Sequence, residues 1–208
     1  MVYTATALAL FLGVGSGAAF TWWRMRTLLP RSVPARAAAK PLGTRADDEE
    51  IRRYNMANNT MGKLLDAERY DEAYNVARIW CNRAPDFVDA HIKLTGSFAP
   101  TTLPPISYAA QHLVALRNVA ELRRLREIMM QRDELKPWQN ILAEEIVAAN
   151  ELERIFGLVE THPGIAQETA ARRVDAGVRR TLKALHDADL RDLIRRERDG
   201  RTYTLYLE

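Results

Sequence analysis

The stretch GVRRTLKALHDADLRDLIRRERDGRTYTLYL, residues 177–207, decides how the chain is read. Val178, Leu182 and Leu185 recur at i, i+4 and i+7 and predict the core-facing stripe of a helix. Arg179, Arg180 and Lys183 then point elsewhere. Further on, Asp199-Gly200 is a dipeptide that tolerates the positive φ angles of a tight hairpin. Across it, Tyr203, Leu205 and Leu207 alternate with Thr202, Thr204 and Tyr206, the period of a half-buried strand. A helix followed by a two-stranded ribbon is the expected local structure.

Working upstream, a first helix is expected to end at "THPG", a second to occupy "IAQETAARRV", and a turn to fall at Asp175-Ala176-Gly177. In that order, residues 151–207 resemble the winged helix-turn-helix fold of bacterial and archaeal transcription regulators. The resemblance implies a third helix that presents Arg179, Arg180 and Lys183 to the major groove, and a wing carrying Arg195, Arg196, Arg198 and Arg201. The sequence departs from that pattern in two ways. The connection "HDADLRDLIRR" is long, with Asp189 where a glycine would normally end the helix, and Asp187, Asp189, Asp192, Glu197 and Asp199 lie among the arginines. DNA affinity rests largely on neutralising phosphates, so interleaved acids weaken that use of the surface. Similar folds also serve protein contacts, and fold alone does not choose.

Charge is distributed unevenly along the 208 residues. Residues 1–46 hold six Lys/Arg and no Asp/Glu, residues 47–150 hold thirteen basic and sixteen acidic groups, and residues 151–208 hold eleven of each. The net charge of +3 therefore comes from the N-terminal segment and does not mark the tail as a nucleic-acid binder. An apolar fraction of 47% suits one ordinary domain or two small ones. The single cysteine, Cys81, cannot form an internal disulfide and fits a reducing compartment.

Residues 2–23 carry no charge and end in Phe20, Trp22 and Trp23, with Arg24 and Arg26 directly after. Such a run is long enough to cross a ~30 Å hydrocarbon core as a helix, with the tryptophans and arginines at the membrane interface. The arginines predict the N-terminus outside and the bulk inside, facing a mitochondrial matrix or a bacterial or archaeal cytoplasm. Ala5, Ala9, Gly13 and Gly17 form a small-residue stripe suited to close packing of membrane helices. Two alternatives compete. A cleavable signal would carry positive charge ahead of the apolar run, which "MVYTATAL" lacks, and a mitochondrial address would explain an Arg-rich, acid-free start.

The expected fold class is mainly α. It comprises a transmembrane helix and flank at 1–26, a Pro/Arg-rich linker at 27–46, a helical repeat-like domain at 47–150, and a winged-helix-like domain at 151–208 with a two-stranded hairpin. Thr44 and Asp47 predict a capped helix start, with Ile51, Tyr54, Met61 and Leu65 on one face. Tyr70-Asp71-Glu72-Ala73 and Pro85 resemble the second helix of a single tetratricopeptide repeat, with Trp80 where a small residue is usual and no second copy downstream. "APTTLPPISY" predicts a loop, Asn118 with Glu121 predicts a helix cap, and Arg123, Arg124 and Arg126 are expected on a solvated face.

No Walker loop, dinucleotide fingerprint, HExxH or nucleophile elbow occurs, and His91, His112, His162 and His186 are scattered. No enzyme activity, cofactor or metal is expected. Two readings follow. In the first, the chain is a non-catalytic accessory or scaffold subunit anchored in the lipid bilayer beside other subunits of a membrane complex, a mitochondrial inner-membrane respiratory or ATP synthase assembly being one such setting. In the second it is a membrane-tethered DNA-binding regulator. The balanced charge of the tail favours the first.

Overall fold

The computed structural model describes residues 43–98 and 103–207. Helix α1 (Arg45–Asp66) begins where the sequence places it. The Thr44 hydroxyl accepts from the Asp47 amide, and the Asp47 carboxylate accepts from the Thr44 amide at 2.7 Å. Such caps contribute about 1 kcal/mol. Arg83 pairs with Glu50, and Lys93 lies 3.6 Å from Asp47, so the helices that follow clamp this first turn.

Helices α2 (Tyr70–Asn82) and α3 (Ala84–Thr95) meet at Arg83, and Pro85 occupies the first turn of α3, where a missing amide costs nothing. Both pack on α1. Tyr54 joins them, edge-on to Trp80 with ring centroids 5.3 Å apart and tilted against Phe87 at 4.1 Å. Trp80 is thus core, filling the space a smaller residue would leave.

Helix α4 (Pro104–Ala115) begins inside the stretch expected to be a loop, because proline is well tolerated in a first helical turn. It is the central helix. Ile106, Ala109, Ala110, His112, Leu113 and Val114 are all buried, and a helix apolar on every side is a helix enclosed by others. It packs on α2, on α6 (Lys136–Thr161) and on α8 (Val178–Asp189), while α5 (Val119–Met129) packs on α6. The Asn118 side chain accepts from the Glu121 amide at 3.1 Å, as its sequence position predicts. Arg124 reaches back to Glu121 and Asn82 from the outer face.

The described residues pack as one compact unit, and α6 runs unbroken through residue 150, shared by the helical region and the C-terminal module. After α6 come β1 (Ile165–Ala166), α7 (Gln167–Arg173), α8, β2 (Arg195–Asp199) and β3 (Thr202–Tyr206). The sheet is antiparallel in the order β1-β3-β2, with Ile165 opposite Leu205 and Arg196 opposite Leu205 on the other side. Leu205 is fully buried and draws the sheet onto the core.

Several expectations shift. Ile165 and Ala166 form a strand instead of beginning the second helix. The hairpin loop is Gly200-Arg201, with Asp199 still paired to Thr202. Gly200 takes φ 58°, the positive angle required at the first position of a II′ turn. Among the described side chains the buried face of α8 is Thr181, Ala184, Leu185 and Ala188, with Leu182 only partly covered, while the side chain of Val178 lies outside what the structure describes. Thr181 can be buried because its hydroxyl donates to the Gly177 carbonyl at 3.2 Å.

The expected transmembrane helix is corrected. Among the described residues no helix is long and apolar enough to cross a membrane. The longest, α6 with 26 residues, has the length but carries Glu144, Glu145, Glu151, Glu153, Arg154 and Glu160. Residues 2–23, on which the expectation rested, lie outside the described residues.

Candidate docking surfaces

Four helices end on a left-handed residue that is not glycine. Glu68, Arg117, Asp175 and Asp192 take φ between 53° and 57°, each just past the end of α1, α4, α7 and α8 respectively. In all four the following amide bonds back five residues: Arg69 to Leu64, Asn118 to Leu113, Ala176 to Ala171 and Leu193 to Ala188. These are Schellman ends, which satisfy the last helical carbonyls at the cost of a left-handed residue. The α8 end also explains Asp189, whose carboxylate accepts from the Arg196 amide at 3.0 Å and so sets the start of β2.

Three of these ends converge. Glu68, Arg69, Tyr70, Asp71 and Glu72 on one side face Leu116, and Leu190, Arg191, Asp192 and Leu193 on the other, around a groove of about 520 Å³. Beneath it lies His112, 1% exposed and stacked on Tyr74 with ring centroids 4.6 Å apart. Arg191 Nε donates to His112 Nδ1 at 3.3 Å, and its guanidinium lies 4.6 Å over the Tyr70 ring. Tyr108 donates to the Tyr70 carbonyl at 2.9 Å. Burial, and then the Arg191 charge, push the His112 ring down to about 4, against the weaker pull of Asp71. The ring is therefore neutral near pH 7. Because Nδ1 accepts from Arg191, Nε2 carries the hydrogen, and Asp71 at 3.6 Å lies beyond direct hydrogen bonding. The arrangement pins the start of α2 to α4 and to the loop after α8.

The sequence-predicted cationic surface is differently built. Arg180 lies 3.2 Å from Glu144 on α6, and Lys183 lies 2.8 Å from Asp187 one turn along. Arg195 meets Glu197 at 3.1 Å and lies 5.0 Å over Tyr206. Arg196 lies 4.2 Å over Tyr203 and donates to Gln167 at 3.2 Å. Arg198 donates to the Gly200 carbonyl at 3.4 Å, and Arg201 is exposed in the turn. Arg179 is on α8, but its side chain lies outside what the structure describes. Ala5, Ala9, Gly13, Gly17, Trp22, Trp23, Arg24 and Arg26 lie outside the described residues.

Among the described residues no group of three or more His, Cys, Asp or Glu is placed to hold a metal ion. Cys81 is buried against the Pro105 carbonyl, and burial pushes its thiol up to about 12, far from a reactive thiolate. Sequence reasoning passed over His112, Arg191, Leu116 and Leu190. The one signal for them was the unusual length of "HDADLRDLIRR", which supplies one wall of the groove. No family model, no curated protein and no solved structure matches the chain.

Proposed function

We propose that the chain is a non-catalytic docking subunit of a larger protein assembly, with a winged-helix-like C-terminal module used for contact with protein instead of DNA. The order α6-β1-α7-α8-β2-β3 and the sheet order β1-β3-β2 support the winged resemblance. The observation that carries the choice of partner is the state of the cations. Arg180, Lys183 and Arg195 are held by carboxylates of the same chain, and Arg196 by Gln167 and Tyr203. A phosphate would have to displace those partners before counterion release could drive binding.

The test is a titration of the full chain against a labelled random DNA duplex at several salt concentrations. A docking subunit shows no tight binding, and Arg180→Ala changes nothing. Tight binding that weakens steeply with salt, and weakens again in Arg180→Ala, would overturn the proposal. The exposed Arg198 and Arg201 favour the DNA-binding reading, and that outcome would establish it.

A further inference from the structure

We propose that the groove between the α1–α2 turn and the loop after α8 docks a segment of a partner protein carrying an aliphatic side chain flanked by lysine or arginine. This rests on the docking-subunit reading and names the chemistry of the partner.

Three observations carry it. First, the groove is built in, not left over. Its volume of about 520 Å³ falls in the ~300–1,000 Å³ range of binding pockets, and its rims are helix ends fixed by Schellman hydrogen bonds. Second, it holds large apolar side chains in contact with water: Leu190 is 46% and Leu116 39% exposed, with Leu193 and Tyr70 beside them. Covering them is favourable for any aliphatic group that fits.

Third, the charge has one sign to spare. Arg69 is engaged with Glu72 at 2.6 Å, and Arg191 is turned inward to His112 and the Asp187 carbonyl. Among the described residues, Glu68 and Asp192 have no lysine or arginine within salt-bridge distance, and Asp71 meets only the neutral His112. Among the described residues, an incoming cation finds carboxylates without a competing lysine or arginine, and an incoming anion finds no free cation in the lining. The lining comes from the α1–α2 turn, the first turn of α2, Leu116 just after α4 and the α8–β2 loop, so an occupant would bridge the helical region and the C-terminal module.

The test uses the isotope-labelled full chain and a synthetic peptide, acetyl-Gly-Arg-Leu-Leu-Arg-Gly-amide, followed by NMR shifts of the backbone amides. The expected result is saturable binding with Kd on the order of 1 mM or tighter, with the largest shifts at Tyr70, Leu116, Leu190 and Leu193. Replacing the peptide arginines by glutamate, or its leucines by serine, abolishes the shifts. Joint Asp71→Asn and Asp192→Asn substitution weakens binding about fivefold while leaving the rest of the spectrum in place. Both sites are exposed, and asparagine tolerates the positive φ at 192. Shifts centred elsewhere, equal binding of the glutamate peptide, or no shift at about 5 mM would overturn the proposal. Any of these leaves the docking-subunit reading to be judged separately by DNA titration and native mass.

Discussion

The cationic face of α8 and β2 and the α8–β2 wall of the groove lie within a few residues of each other in sequence, yet face and groove spend their charges in opposite ways. On the cationic face Arg180, Lys183, Arg195 and Arg196 are all engaged by their own chain. At the groove the arginines are engaged, and Glu68 and Asp192 have no cationic partner among the described residues. A count of charges along the sequence cannot distinguish these cases. What matters to a partner is which charges are free, and that is set by helices far apart in the chain.

The comparison is tested most strongly on the leucines of one segment. Leu185 anchors α8 in the core, fully buried, while Leu190 stands 46% exposed over the groove. Leu185→Ala should cost about 2–5 kcal/mol in urea unfolding, and Leu190→Ala within about 0.5 kcal/mol. Equal costs would mean that Leu190 is a structural residue and the groove is closed.

Next in size is the buried histidine under the groove. In the unfolded chain His112 takes up a proton below its ordinary value of 6.5, whereas in the fold burial and Arg191 hold it neutral down to about 4. The unfolded state therefore binds more protons between those values. The share of stability due to the neutral ring is whole above pH 6.5 and is lost as pH falls towards 4, by about 3 kcal/mol. In His112→Asn that part of the pH dependence should vanish from unfolding measured between pH 7 and 4. An unchanged profile would show that the ring is open to water.

Smaller effects attend the left-handed helix ends. Glu68→Gly should stabilise by about 1 kcal/mol, because glycine carries no penalty at φ 57°, while Asp192→Gly should give less, since aspartate tolerates that region better. Thermal melts of the two variants check the order. The smallest effect is at the cationic face. Arg180 and Glu144 are partly exposed, so a double-mutant cycle should give a coupling of about 0.2–1 kcal/mol. A coupling near zero would leave Arg180 free for another partner.

Much of the fold was legible because local rules carry it. The Thr44 cap, the Asn118 cap and the hairpin at Gly200 each state their geometry within four residues. Other features failed for equally local reasons. Two residues are too few to show a strand period, so β1 was invisible until Leu205 was seen opposite Ile165. Thr181 reads as polar, which turned the expected core face of α8 away from its true one. The helix ends at Glu68, Arg117 and Asp192 lack the glycine that usually announces them. The groove was least legible, since its walls lie some 120 residues apart and no single wall carries a pattern.

The most direct test of the docking-subunit account is the native mass of the full chain in extracts of its own cell, read by size exclusion with light scattering. The account predicts a stable particle several times the 23.6 kDa of the chain, from which Asp71→Asn with Asp192→Asn releases part of the protein. A free monomer or a simple dimer at every salt concentration would contradict it.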